Sequence, residues 1–249
     1  MVAYQLYSSR KFPPLAETCK MLAAAGIADT EGFGGLYADE ATLAETAAAL
    51  KAAGLKMRTG HFGLSQIEDT PDWALKVAGT LGIERLYVPH IMPDQRPTDG
   101  PGWRAFGARL EKAFAPIRAA GFGTGWHNHD FEFKACADGT IPEVSILDGG
   151  PSLEAELDVA WVVRGGSDPM EWIKRYAGRI TAAHVKDIAP AGQNLDEDGW
   201  ADAGQGTVDW KTIMAAQKAV GCKHFVLEHD NPSDHKRFAT RSAAYVKGL

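Results

Sequence analysis

An α/β fold, a single (β/α)8 TIM barrel over residues 1–249, is what this sequence predicts, and three observations carry the prediction. Short apolar runs alternate with longer stretches of helical periodicity about eight times, which implies parallel strands joined by crossover helices. Eight such units in 249 residues match the size of a closed barrel. No Ser/Pro-rich linker, charge run or change of composition divides the chain. A doubly wound sheet is the alternative that the same alternation allows.

The elements follow in order. Residues 2–6 form a short apolar run that ends in Ser8, Ser9 and Arg10. Residues 15–25 have helical periodicity, with Pro13-Pro14 before them and Gly26 as the stop. A second strand, 27–33, carries Glu31. The Ala- and Leu-rich run to Ala53 is a helix with Asp39 as N-cap and Gly54 as C-terminal stop. Residues 55–62 are a third strand ending at His61, and Thr70-Pro71 opens a helix that stops at Gly82. A fourth strand, 84–91, ends at His90, and a loop rich in Pro, Asp and Gly leads to a long helix over 103–120.

The fifth strand is Gly-Trp-His-Asn-His-Asp-Phe-Glu-Phe, residues 125–133. Alternation puts His127 and His129 on one face and Asn128 on the other. A connection containing 141–147 follows, and then a sixth strand over 153–163 with Asp158 inside it. Asp168-Pro169 caps the next helix, and a seventh strand, 180–188, holds His184, Lys186 and Asp187. A polar loop with Asp202, Gly204 and Gly206 reaches a helix near Asp209-Trp210. The eighth strand, 224–230, carries Glu228, and 233–247 is the closing helix.

Composition narrows the function classes. The net charge of −6 argues against a general nucleic-acid binder, which presents a basic face. Cys19, Cys136 and Cys222 are an odd, widely spaced set, as expected of free thiols in a reducing compartment. The N-terminal residues have no basic-then-apolar signal pattern, and no window reaches the ~18 apolar residues of a membrane span. The expectation is a soluble cytoplasmic protein with no nucleic-acid or membrane partner; a homo-oligomer is compatible with the sequence.

Glu31, His61, His90, His127, Asp158, His184 and Glu228 all fall at, or within a residue or two of, a predicted strand end. In a barrel the C-terminal strand ends converge on one face, where active sites are built. Carboxylates and imidazoles together make an oxygen/nitrogen ligand set that suits one divalent ion, Mn2+ foremost, with Mg2+, Co2+, Fe2+ or Zn2+ as alternatives. Asp158, His184 and Glu228 are its expected core. Each has a structural reading too: Asp158 as a cap at a strand end, Glu228 as a salt-bridge partner of Lys186, the paired histidines as hydrogen-bonded core residues. Lys186 is a candidate for stabilising oxyanion charge. Glu31, His61 and His90 are candidates for binding substrate hydroxyls or moving protons. Trp126 and Trp161 are candidates for stacking on a substrate ring, though aromatics beside barrel strands more often pack the core. His229, Asp230 and Asn231 are read as orienting ligands or the final loop.

Leu-Asp-Val at 157–159, Ala-His-Val-Lys-Asp at 183–187, Gly-Gln-Gly-Thr-Val-Asp-Trp at 204–210 and Leu-Glu-His-Asp-Asn-Pro at 227–232 resemble the xylose-isomerase-like TIM barrels. These are broadly described as sugar phosphate isomerases/epimerases and share their barrel with endonuclease IV. The resemblance implies one catalytic divalent metal held by a Glu, an Asp, a His and a second Glu from strands five to eight. Asp158, His184 and Glu228 carry over directly. At strand five the chain departs, with His127 where many relatives have Glu and Glu132 five residues on. Either His127 replaces the usual ligand, or the chain turns and Glu132 coordinates. A hard ion's preference for carboxylate oxygen favours Glu132, leaving His127 or His129 as general base; simple strand geometry supports the opposite assignment nearly as well.

The His-Asn-His-Asp-Phe-Glu-Phe run also resembles a subgroup acting on 3-keto-glycosides as lyases or hydratases, including 3-keto-2-hydroxyglucal hydratases, and relatives of C-glycoside deglycosidases. Either resemblance implies a small sugar or keto-sugar substrate, proton abstraction next to its carbonyl, and an enediolate; Glu228, His127 and His129 are the candidate bases. Two rivals complete the set: an abasic-site endonuclease, and a non-catalytic subunit of a hetero-oligomer.

Overall fold

The computed structural model describes residues 2–249. Its strands β1 (Val2–Gln5), β2 (Asp29–Gly32), β3 (Lys56–His61), β4 (Arg85–Val88), β5 (Gly123–His127), β6 (Glu154–Asp158) and β7 (Ile180–Val185) are followed by a two-stranded excursion, β8 (Asp187–Ile188) and β9 (Trp200–Ala201), and then by β10 (His224–Leu227). Eight of them close a parallel barrel in the order β1-β10-β7-β6-β5-β4-β3-β2, while β8 and β9 pair antiparallel outside it. The predicted single barrel is the observed fold; of the expected span, Met1 lies outside the described residues.

Helices α1 (Leu15–Ala24), α2 (Glu40–Ala53), α3 (Leu64–Glu68), α4 (Pro71–Leu81), α5 (Gly100–Ala113), α6 (Ala115–Ala119), α7 (Pro142–Gly149), α8 (Val159–Arg164), α9 (Pro169–Arg175), α10 (Trp210–Ala219) and α11 (His235–Lys247) connect the strands. Several of them start at aspartates that accept the otherwise unpaired amides of the first turn: Asp39 from Thr42, Asp99 from Gly102, Asp168 from Met170 and Asp234 from Lys236 and Arg237. Gly54 and Gly82 end α2 and α4 in the left-handed conformation, at φ 68° and 75°. Apolar side chains of strands and helices form one continuous core.

Several stretches differ from the sequence reading: the fourth strand stops at Val88, two residues before His90, and the seventh at Val185, with Asp187–Ile188 in the separate β8–β9 pair. The strand expected over 125–133 stops at His127, and Phe131–Phe133 forms a 3-10 turn. The strand expected over 153–163 stops at Asp158, whose carboxylate accepts the Trp161 amide at 3.0 Å and starts α8. An aspartate at this point offers the backbone a cap instead of a continued ladder. The long helix over 103–120 is split, because Pro116 has no N–H to continue α5 and opens α6 instead. The connection around 141–147 is itself helical.

Helices α5 and α7 approach closely through two glycines. A Cβ on Gly107 would lie 2.0 Å from the Ile146 carbonyl oxygen, and one on Gly149 would lie 2.1 Å from that of Arg104. Gly107→Ala should therefore lower the urea midpoint, although Ala in a helix normally gains about 1 kcal/mol: the forced separation of the helices costs about 1–3 kcal/mol. Glu143 on α7 is buried with Oε2 unpartnered; burial pushes its carboxyl up to about 8, against the pull of Arg179. The folded state thus keeps a proton that the unfolded chain releases near its ordinary value of 4.5, so this group's contribution to stability falls as pH rises from 4.5 to 8. Across that window Glu143→Gln should gain stability relative to the parent, read from denaturant titrations at each pH.

Candidate active site

In most barrels of this kind the lumen is packed with branched apolar side chains. Here its upper part is polar. Gln5, Glu31, His61, His127, Glu156 and His184 come from six different strands, and all are buried. Two of their contacts span the lumen between strands that are not neighbours. Glu31 of β2 meets His184 of β7, with Oε1 2.7 Å from Nε2, and His61 of β3 meets Glu156 of β6, with Nε2 2.6 Å from Oε2. Gln5 donates from Nε2 to Glu31 at 2.8 Å. His127 lies level with Glu156 in the ladder; its Nδ1 is 3.2 Å from Glu156 Oε2 without hydrogen-bond geometry.

Above this layer sits a second group. His184 turns Nδ1 to Glu228 Oε2 at 2.8 Å, and Asp158 Oδ2 lies 3.8 Å from the same nitrogen. Asp158 stands opposite His184 in register, and Oδ2 has no hydrogen-bond partner. Ligand atoms of Asp158, His184 and Glu228 all lie within 4.8 Å of one another. The Lys186 ammonium is drawn to the same carboxylates, 2.6 Å from Asp230, 3.1 Å from Glu228 and 3.6 Å from Asp158. Trp161 and Trp200 complete its surroundings, with ring centroids 4.7 and 4.5 Å from Nζ.

Electrostatics follow from this packing. Burial penalises every charge, yet the Glu228, Glu156 and Glu31 carboxylates together hold His184 well above the usual imidazole range. Glu228 is buried as well, but Lys186 and His184 outweigh that cost and keep it ionised. Asp158 is pushed up to about 6 by burial, against Lys186 and His184. Glu31 is pushed up to about 7 by burial and by Glu156. Burial depresses the remaining pair: His127 falls to about 3, with His184 adding to the effect, and His129 is well below its usual range, with His127 and Lys186 adding. These two imidazoles are neutral at pH 7 and can accept protons.

A cavity of about 820 Å3 opens over the layer, and His61, His90, His127, His129, Glu228 and Asp230 line it. His129 presents a buried, unpartnered Nδ1, and its ring packs on His90 with centroids 5.3 Å apart. Glu132 does not join Asp158, His184 and Glu228. The 3-10 turn carries it back so that its carboxylate accepts from the Trp126 indole at 3.2 Å and the His129 amide at 3.0 Å. His127 falls in the lower group with His61, Glu156 and His184. Trp126 is buried against Phe106, and neither it nor Trp161 is among the cavity-lining residues. Glu156 and Gln5 escaped sequence reading. Glu156 had a usable signal, since it precedes Asp158 by two and alternation puts both on one face. Gln5, an amide at the end of the first strand, had none.

No family model matches the chain, and no curated protein does. Solved structures match it throughout. A sugar phosphate isomerase/epimerase from Parabacteroides distasonis superposes with TM-score 0.81 at 23% identity, covering 100% of this chain and 93% of its own. The probable 3-DHS dehydratase AsbF of Bacillus anthracis gives 0.73 at 15%, covering 99% and 98%, and the IolI protein with a zinc atom gives 0.73 at 16%, covering 99% and 95%. No helix is long and apolar enough to cross a membrane among the described residues. The chain has the fold of the xylose-isomerase-like TIM barrels over its whole described length.

Proposed function

We propose that this protein is a divalent-metal-dependent carbohydrate enzyme that removes the proton next to a sugar carbonyl, in the manner of sugar isomerases and epimerases. The observation that carries the reading is the Asp158–His184–Glu228 group at the C-terminal ends of β6, β7 and β10, with Glu228 on the cavity wall. Its two carboxylates and one imidazole suit Mn2+ first, with Mg2+, Fe2+, Co2+ or Zn2+ as alternatives, and the unpartnered Asp158 Oδ2 is a donor with nothing to bind. When bound, such an ion polarises the substrate carbonyl and stabilises the charge left by proton removal.

The chain's own residues supply the rest. Glu31 accepts from His184 Nε2, which leaves Nδ1 as the nitrogen able to ligate. His129, neutral and facing the cavity, is the base that takes the proton from the carbon next to the carbonyl. His127 stands beneath it and His90 beside it as candidate proton carriers and hydroxyl-binding groups. Lys186, enclosed by Asp158, Glu228, Asp230 and two indoles, balances their charge.

The cavity also bears on the substrate. None of its lining residues is Lys or Arg, while Phe33, Phe62 and Tyr7 offer aromatic faces. No lysine or arginine on the wall is placed to pair with a phosphate. An uncharged keto-sugar is therefore the favoured substrate class. A second reading, elimination or hydration at a 3-keto-glycoside, uses the same proton abstraction. It is favoured by a volume of about 820 Å3, which leaves room for an aglycone beside the edge-packed Tyr7 and Phe33 rings.

Metal-loaded protein incubated in D2O with neutral ketoses, their phosphates and 3-keto-glycosides should place deuterium next to the carbonyl of a neutral substrate. Loss of a leaving group would select the second reading, and exchange confined to phosphates would overturn the substrate class. Glu228→Gln should abolish exchange with the fold intact by circular dichroism; unchanged exchange removes Glu228 from the site. His129→Gln should cut kcat by about a hundred- to ten-thousand-fold while metal content is unchanged.

A further inference from the structure

We propose that the lower polar layer is a second cation site, made by His61, His127 and Glu156, beneath the Asp158–His184–Glu228 group. Glu156 Oε2 lies 2.6 Å from His61 Nε2 and 3.2 Å from His127 Nδ1. Three protein donors arranged around a tetrahedral ion stand about 3.3 Å apart when their bonds are about 2.0–2.1 Å long, so the observed spacings need only small side-chain adjustments. The three residues are nine-tenths buried or more, and two of their donor atoms, His127 Nδ1 and Glu156 Oε1, have no hydrogen-bond partner. Glu31 Oε2, next to His61, is a third such atom. Orphaned polar atoms clustered in a protein interior are costly, and a bound ion would satisfy those of His127 and Glu156 together. His61 and His127 also line the cavity, so a fourth coordination position opens toward it and an entry path exists.

Charge balance points the same way. The carboxylates of Glu31, Glu156, Asp158, Glu228 and Asp230 converge on this part of the barrel around a single ammonium, Lys186. Once His184 gives up its proton to ligate an ion and the five carboxylates are ionised, four negative charges are in excess in a largely buried volume, which two divalent ions would match. The donor types separate the two sites. Two imidazoles and one carboxylate suit Zn2+ or Co2+, whereas the upper group is richer in oxygen. His184 need not bridge them. Its Nε2–H is held by Glu31, and Nδ1 faces the upper group.

The test is metal stoichiometry. Full-length protein is stripped with chelator, equilibrated with Zn2+, desalted, and counted by mass spectrometry of the elements; Co2+ replaces Zn2+ for visible spectra. Two ions per chain are expected, together with the intense bands of four-coordinate Co2+. Glu156→Gln and His61→Asn should each lose one ion and those bands, whereas Glu228→Gln should lose one ion and keep them. Thermal melts identify a variant that has not folded, and His127→Asn then provides the same measurement. One ion lost in Glu156→Gln but kept in Glu228→Gln supports the lower site and removes the upper one. A parent that binds one ion or none, with the count unmoved by folded Glu156→Gln and His61→Asn, overturns the proposal.

Discussion

The contact on which the site depends is the pair of bonds that His184 makes across the barrel, Nε2 to Glu31 and Nδ1 to Glu228. One imidazole, fully buried, ties β2 to β7 through the lumen and β7 to β10 along the wall. Buried charges are tolerated only where each is matched, so the imidazole, the carboxylates and Lys186 must be placed together. Removing one partner would leave the others uncompensated. The polar lumen is thus both the part of this fold most costly to build and the part with chemical potential.

That matching explains why similar side chains behave differently. Glu228 and Glu156 stay ionised because cationic neighbours outweigh burial, whereas Asp158 and Glu31 are pushed up by burial. His184 holds its proton among carboxylates, and His129 loses it to burial, with other imidazoles and Lys186 adding to the effect. Groups driven apart in this way can divide the work of holding charge and moving protons.

Much of the fold was legible in the chain. Alternating short apolar runs and helical stretches, with aspartate caps and glycine stops, specify parallel strands and crossover helices. Asp158, His184 and Glu228 were legible as a group because each ends a strand, and barrel topology brings strand ends together. The strand-five assignment was not. Whether residues 128–133 continue as strand or turn depends on the Trp126 indole and the His129 amide, which capture Glu132 only once the 3-10 turn has formed. Glu156 was hidden for a related reason: a carboxylate inside a strand gains meaning only from His61, 95 positions earlier, on a non-adjacent strand.

By itself the sequence determined the barrel, its caps and stops, and the set of strand-end residues that face one another, because these follow from local periodicity and from topology. Tertiary structure decided which imidazole pairs with which carboxylate, that Lys186 lies among three of them, and that the lumen holds two clusters of donors joined by His184. Those outcomes rest on distances across the lumen between residues far apart in the chain, and strand periodicity carries no information about them.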